Sequence, residues 1–426
     1  MTILYMLLGL FALVLINVPI AVALGVVTAA AMLIVQGPDI LPNIALVMFD
    51  GATKFPLIAI PLFVFAGAIM NAGGISSRLI NLASALLGFI RGGLAMVTIG
   101  ASMFFAEISG SAVAGVAALG SILIPAMKEK GYSAPFATAV ASSASTLAIV
   151  LPPSIPMIIY AVMAQTSITQ LFLAGFVPGL MGAILMMIVS FFFAKKYDFP
   201  VEEAFRLSRV WATLKDASLA LTLPIIILGG IFGGFVTATE AAGLAVVASL
   251  IIGFIYNELD WRRLQRALID GGVQTSSVMV LVAASALIGV FLTEQQVPQQ
   301  LAQSIMDWTD NKYMVLLLLN VFFLIIGCFL HSAAAIILVV PIVMPLVTLV
   351  GIDPIHFGLI VTLNLAVGQQ TPPVASVLVT ACSIGKADVW AVTKANVWFI
   401  GVLLFVLLLM TYVPALPLAP VEFFYR

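Results

Sequence analysis

The sequence predicts an all-α protein that crosses a membrane many times, built as two repeats of opposite orientation. Three observations carry that prediction. Of 426 residues, 63% are hydrophobic and only 8% are charged, whereas soluble domains carry roughly 25% charged residues. Two proline pairs, Pro152-Pro153 and Pro372-Pro373, lie inside long apolar runs. Proline breaks a helix there because it lacks the N–H and clashes with the preceding turn. The lysines and arginines are confined to short polar segments between the apolar ones. A net charge of −1 without a basic patch gives no reason to expect nucleic acid. Cys328 and Cys382 lie in apolar runs and read as small buried hydrophobes rather than a disulfide.

Residues 3 to 35 are almost wholly apolar, interrupted at Asn17-Val18-Pro19, and read as two short helices with a tight turn. The first residues, Met1 to Tyr5, have no basic segment or cleavage site and read as the start of a retained helix. A polar stretch with Asp39, Asp50 and Lys54 precedes a span from Phe55 to Met70. Residues 75 to 91 set Arg78 and Arg91 among apolar residues at helical spacing, which predicts a helix on the membrane surface. The apolar run from Leu94 to Met127 is only marginally long enough for two spans of about 20 residues each. A re-entrant hairpin over 94–127 fits better, its tip at Ser109-Gly110-Ser111. A broken helix is expected over 133–164, interrupted at Pro152-Pro153, then a span over 170–194.

The linker 195–216 is the most polar segment. Beyond it the sequence predicts two spans over 217–256 with a break near Phe235 to Glu240, and a basic surface segment (Arg262, Arg263, Arg266). A span over 275–293 and a polar stretch over 294–312 follow. A second hairpin over 313–350, a second broken helix over 355–384 and a last span over 395–418 complete the series.

The two halves align at a constant offset of 220. Asp50-Gly51 matches Asp270-Gly271, Pro125 matches Pro345, Gly131 matches Gly351, and Pro152-Pro153 matches Pro372-Pro373. Four matches in register divide the chain into repeats 1–212 and 213–426. With Lys195 and Lys196 placed in the cytoplasm, counting through the spans leaves only Lys54, Lys312 and Arg426, of 17 basic residues, on the other side. The same count makes the first hairpin enter from the cytoplasm and the second from the periplasm. Inverted repeats with paired broken helices point to a secondary transporter whose site lies at mid-membrane.

Ser109, Gly110 and Ser111 offer hydroxyls, flexible backbone and free helix ends. Such oxygens suit Na⁺, and helix N-termini suit a carboxylate. The alternative is that small residues here only let helices pack closely. His331 at the second tip could bind substrate, carry a proton, or simply bond a carbonyl. Gln369 and Gln370 are costly in an apolar span unless they bond across helices or face a cavity, and a cavity is expected. Glu107, the one acidic residue deep in a membrane segment, is a candidate for coupling, against a carboxyl paired locally. Glu240 and His356 read as structural. No phosphate-binding loop or metal-ligand spacing is present.

Phe55 to Phe63 (FPLIAIPLF) and Met70 to Ile75 (MNAGGI) resemble the large membrane subunit of tripartite ATP-independent periplasmic (TRAP) transporters. So do Ser109-Gly110-Ser111-Ala112, Leu151 to Ser154, Thr237 to Ala242, and Thr371-Pro372-Pro373. The resemblance covers essentially the whole chain. It implies an elevator-type transporter of the bacterial inner membrane that uses Na⁺ to import an organic acid. The partners it implies are a periplasmic substrate-binding protein and a small four-helix membrane subunit. Carried over by residue, the sodium sites would involve Ser109, Gly110 and Ser111 with Pro152 and Pro153, and Ser332 with Gly368, Thr371 and Pro372. Ser154, His331, Gln369 and Gln370 would lie near the substrate. Many relatives have an acidic residue shortly after Ser-Gly-Ser, where this chain has Gly115. That departure favours sialic acid, with C4-dicarboxylates next. A structural or receptor subunit with no flux of its own stays open as a reading, and two further rivals remain at this stage. One is a self-sufficient proton- or sodium-coupled carboxylate carrier. The other is an intramembrane serine hydrolase pairing Ser109 or Ser111 with His331, which the repeat disfavours because the first tip has no counterpart of His331.

Overall fold

The computed structural model describes residues 2–16, 18–202 and 204–425, and all their regular structure is helical. Asn17, in the expected first turn, lies outside these residues. The first half of the chain opens with α1 (Thr2–Leu15), α2 (Ile20–Gln36), α3 (Leu41–Ala52), α4 (Ala59–Ala72) and α5 (Ile75–Leu87). α3 occupies the stretch expected to be merely polar. Its Asp50 and the neighbouring Lys54 sit at one end of an otherwise apolar helix.

The first hairpin is α6 (Gly93–Ser109) and α7 (Ala112–Glu129). Gly110 closes α6 at φ +59°, a left-handed conformation that suits glycine, and the Ser111 hydroxyl caps α7 by accepting from the Ala114 N–H. The broken helix is α8 (Ala134–Ser145), a tight 3₁₀ turn to Ile149, the Pro-Pro segment, and α9 (Ile155–Met163). α10 (Ile168–Tyr197) carries Lys195 and Lys196 in its last turn, where they complement the helix dipole. The polar linker is itself partly helical, in α11 (Leu207–Asp216).

The second half runs α12 (Ser218–Pro224), through a π turn to α13 (Gly230–Phe232), then α14 (Ala238–Ile255). Thr237 and Glu240 form a reciprocal capping box at the start of α14, so Glu240 is structural, as expected. α15 (Trp261–Glu294) joins the expected surface segment and the following span into one helix of 34 residues, capped by Asp260. Gly271-Gly272 does not interrupt it, because a glycine weakens a packed helix by only about 1 kcal/mol. α16 (Val297–Met306) precedes the second hairpin, α17 (Lys312–Phe329) and α18 (Ser332–Leu349), and the second broken helix, α19 (Pro354–Gly368) and α20 (Ser376–Gly385). α21 (Val389–Tyr412) is cut short of the expected span by Pro414, and α22 (Ala415–Tyr425) follows.

Eight of the described helices are long and apolar enough to span a membrane. Helix boundaries recur at the spacing of the sequence matches: Ala112 and Ser332 open the second arms of the two hairpins, and Ala134 and Pro354 open the two broken helices. Gly131 (φ +86°) and Gly351 (φ +70°) turn the chain after each hairpin, and both Pro-Pro bonds are cis. α4, α14, α15, α2 and α3 pack on one another, while α20 packs against α7 and α8, and α21 against α8 and α19. The two hairpin and broken-helix units are therefore interleaved. The basic residues near the linker gather with it at one end. Arg78 meets Asp216 at 3.3 Å, Lys130 meets Glu202 at 3.6 Å, and Arg91 meets Asp198 at 3.6 Å.

Candidate functional site

Both hairpin tips open onto one cavity of about 620 Å³, a size typical of small-molecule sites. Its polar wall comes from Ser111 of the first tip, His331 and Ser332 of the second, Gln369 of the second break, Ser376 and Thr380 of α20, and Gln274 and Ser277 of α15. The remainder of the wall is mainly apolar, including Ile149 and Ile155 on either side of the first break.

The first tip docks directly on the first break. The Ile155 N–H donates to the Gly110 carbonyl at 3.2 Å. A Cβ on Gly110 would stand 2.7 Å from the Pro153 carbonyl oxygen, so the approach is open only to glycine. Pro152, Pro153 and Ser154 are fully buried. The Ser109 hydroxyl is buried and has no hydrogen-bond partner among the described residues. Such a group costs about 1–3 kcal/mol unless something pairs with it. Glu107, half-buried two residues earlier, makes no described hydrogen bond or ion pair and lies off the cavity wall.

The second break is built differently. The Val374 N–H donates to the Cys328 carbonyl at 3.1 Å, tying the break to the first arm of its hairpin. Gly368 and Gly327 let α19 and α17 touch, since a Cβ on Gly368 would fall 2.4 Å from the Gly327 backbone. Pro373 and Val374 are exposed. The Ser332 hydroxyl accepts from the Gln369 amide, and Gln369 Oε1 accepts from the Ser376 hydroxyl at 3.3 Å. Thr371 donates to the Val367 carbonyl of its own helix. His331 uses Nδ1 to cap α18 by accepting from the Ala333 N–H, and its Nε2 has no described partner.

Two expected substrate contacts lie elsewhere. Gln370 is turned away from the cavity into a closed network. Its Oε1 accepts from the Ser142 hydroxyl (2.8 Å) and the Asn396 amide (2.9 Å), and its Nε2 donates to the Ser142 carbonyl (3.0 Å). Consecutive helical residues point about 100° apart, so Gln369 and Gln370 cannot share one face. Ser154 is completely buried. Its hydroxyl donates to the Ile149 carbonyl (2.6 Å) and accepts from the Met157 N–H, so it bridges the break and caps α9. Gly115 faces Ser145 and Phe105, so its identity gives no direct reading of the cavity's cargo.

The sequence reading missed Gln274, Ser277 and Thr380. All lie on apolar helices, and their only signal was polarity inside a span. A second cavity, of about 500 Å³, adjoins the first and shares Ala114, Ala117 and Gln274 with it. Ser109, Asn71, Arg263, Arg266 and Asp270 also line it.

The chain matches the family model of the tripartite ATP-independent periplasmic transporter, DctM component, over residues 7–416. It is 42% identical to the isethionate TRAP transporter permease protein DctMQ of Oleidesulfovibrio alaskensis over 96% of this chain, and spans 65% of that longer relative. Identity is 38% with the C4-dicarboxylate TRAP transporter large permease protein DctM of Pseudomonas aeruginosa, over 92% of each chain. It is 36% with the sialic acid TRAP transporter large permease protein SiaM of Vibrio cholerae, over 88% of each. The fold is similar to that of the Alcanivorax borkumensis YdaH transporter, with a TM-score of 0.64 at 16% identity, over 92% of this chain and 96% of that one. All three relatives are named as permeases rather than enzymes. With a family match over nearly its whole length, with eight apolar spans among the described helices and with a cavity between two hairpin tips, the chain belongs to the DctM component family of tripartite ATP-independent periplasmic transporters.

Proposed function

We propose that this chain carries a small organic anion inward across the bacterial inner membrane, coupled to Na⁺. A periplasmic binding protein delivers the anion, and a small four-helix subunit enlarges the scaffold. The observation that carries the reading is the meeting of both hairpin tips and the second break in a single cavity. The matched helix boundaries and the basic residues gathered at the linker end support inverted repeats, with residues 195–216 on the cytoplasmic side.

Sodium fits the first tip best. The Ser109 hydroxyl lacks a partner, the Pro153 carbonyl lies against Gly110, and helix ends at Ser109 and Ser111 leave further carbonyls and N–H groups at the break. A hard cation takes such oxygens readily. The second set, Ser332 with Gly368, Thr371 and Pro372, is the weaker candidate, because the hydroxyls of Ser332 and Thr371 are already bonded. Gln369, His331 and Ser111 are the proposed contacts for the anion. The packing of α2, α3, α4, α14 and α15 among themselves supports a scaffold against which the interleaved hairpin units move as an elevator. The relatives span a sulfonate, dicarboxylates and sialic acid, so the proposed class is the small organic anion, and sialic acid is one member to test.

The test is uptake in proteoliposomes holding this chain, the small subunit and the binding protein. Labelled isethionate, succinate and N-acetylneuraminate are offered with and without an inward Na⁺ gradient. One of them should accumulate only with Na⁺ and only with the binding protein. Undiminished uptake without the gradient would sink the coupling, and uptake of free anion without the binding protein would restore the self-sufficient carrier.

A further inference from the structure

α15 carries a polar stripe that the tips do not explain. Arg266, Asp270, Gln274 and Ser277 recur at helical spacing on one face, covering about 16 Å along the axis at about 1.5 Å per residue. Ser277 lines the tip cavity, Arg266 and Asp270 line the neighbouring one, and Gln274 lines both. The two cavities meet along Gln274 and the α7 residues Ala114 and Ala117, so no large side chain divides them on the α7 side.

The cations at the outer end are not equivalent. Arg263 donates to the Glu258 carbonyl at 2.6 Å and pairs with the carboxylates of Glu258 and Asp260. Arg266 has no hydrogen-bond or ion-pair partner among the described residues, and neither has Asp270. The cavity at the other end of α15 has the opposite balance. Its charged residues are Lys54 against Asp50 and Glu294. Glu258 and Asp260 answer Arg263, which leaves Arg266 as the cation of this wall that no contact neutralises, with Asp270 one turn away; the other cavity sets one lysine against two carboxylates. Low-dielectric cavity walls strengthen the local field of such charges.

We propose that Arg266 forms a second, transient site for an organic anion, which receives the charged headgroup as it leaves the tip cavity past Gln274. The proposal rests on the reading of the cargo as an anion and adds the route by which it departs. Arg266 supplies a planar fork that matches a carboxylate or sulfonate. Asp270, one turn inward, keeps the site from holding the anion tightly, so the mouth attracts without trapping.

The test separates this site from flux. In a background with Cys328 and Cys382 replaced by alanine, Gln274→Cys is reacted in lipid nanodiscs with two thiol reagents. One is the anionic 2-sulfonatoethyl methanethiosulfonate, and the other is the cationic 2-(trimethylammonium)ethyl methanethiosulfonate. The anionic-to-cationic rate ratio should fall about three- to tenfold when Arg266→Gln is added, and Arg266→Lys should restore most of it. The exposed Arg262 lies off the cavity wall, and Arg262→Gln should change the ratio much less. An unchanged ratio, an equal change from Arg262→Gln, or a thiol at 274 that neither reagent reaches would each overturn the proposal. In proteoliposomes, Arg266→Gln should lower the maximal uptake rate severalfold, with little change in the external concentration for half-maximal uptake. A wild-type system that moves no anion would refute the proposed function, while the labelling would still judge the site.

Discussion

Gln370→Met keeps the length of the side chain and deletes its amide. Three hydrogen bonds disappear, and the Ser142 hydroxyl, the Ser142 carbonyl and the Asn396 amide lose their partner. Ser142 and Asn396 are completely buried, so water cannot replace it cheaply. A net hydrogen bond is worth about 0.5–1.5 kcal/mol, and a stranded buried group costs about 1–3 kcal/mol. Asn396 keeps its bond from the Ser143 hydroxyl at 2.5 Å, and the Ser142 hydroxyl can rotate, so the expected loss is about 2–4 kcal/mol. Unfolding entropy of about 2.1 cal/mol/K per residue gives roughly 0.9 kcal/mol/K for a chain of this length, hence a Tm lowered by about 2–4 °C. Gln369→Met is the control. Its partner Ser376 is half-buried, and its partner Ser332, though buried, lines the same cavity, so its cost to stability should stay below that of Gln370→Met, at about 1–2 kcal/mol, while uptake falls sharply. Fluorescence-detected thermal unfolding of the purified chain reads the first effect, and proteoliposome uptake the second. A Gln370→Met protein that melts with the wild type, beside a Gln369→Met protein that melts several degrees lower, would refute this division of the two glutamines.

Ser109→Ala removes a hydroxyl that has no partner, so its Tm should stay within about 1 °C of wild type, while the Na⁺ concentration for half-maximal uptake rises about tenfold; a falling Tm with an unchanged Na⁺ response would take Ser109 out of the ion site. Gly110→Ala must hold a left-handed φ of +59° with its Cβ 2.7 Å from the Pro153 oxygen. The conformation alone costs about 1–2 kcal/mol, so uptake should drop at least tenfold, and near-normal uptake would mean that the tip need not dock on the break. Gly368→Ala sets a methyl 2.4 Å from the Gly327 backbone and should destabilise by more than about 3 kcal/mol, seen as loss of monodisperse protein on gel filtration. Gly115→Ala, whose nearest neighbour would be 3.6 Å away, should change Tm by less than about 1 °C.

What was legible in the sequence was what backbone chemistry enforces. Pro152-Pro153 and Pro372-Pro373 interrupt a helix wherever they stand, and the cap chemistry of Ser109-Gly110-Ser111 marks a helix end in a way that Gly271-Gly272 does not, so the hairpin tips and broken helices could be placed to within a few residues. The Asp-Gly pairs of the two halves also have a reason in the packing. A Cβ on Gly51 would stand 2.2 Å from that of Ala286, and one on Gly271 would stand 2.8 Å from the Phe65 ring, so each glycine admits a crossing helix. Side-chain direction was not legible. Gln369 and Gln370 are adjacent and chemically identical, and only the position of α8 and α21 decides that one of them is structural. Gln274 and Ser277 gave no break or charge to mark them, because their role comes from α15 lying beside both tips. The unbroken length of α15 was missed for a related reason: a surface charge cluster and a span look separate until one helix is seen to carry both.

The two tips, 220 residues apart along the chain, differ in what their oxygens are free to do, and that difference bears on how the proposed coupling would work. At the first, the break is buried and the Ser109 hydroxyl has no partner. A dehydrated cage of this kind suits an ion of fixed size and charge. At the second, Ser332, Gln369 and Ser376 already satisfy one another and the break is half-exposed. These groups can exchange their mutual bonds for bonds to a ligand at little cost, which suits cargo that varies between relatives. Because the Ile155 N–H bonds the Gly110 carbonyl, an ion ordering the first tip would also fix Ile155 and Ser111, both on the wall of the tip cavity. Coupling on this reading needs no contact between ion and anion. The ion would set one wall of a cavity whose other wall, at Gln369 and His331, can adapt, so that the anion is held well only when both are in place.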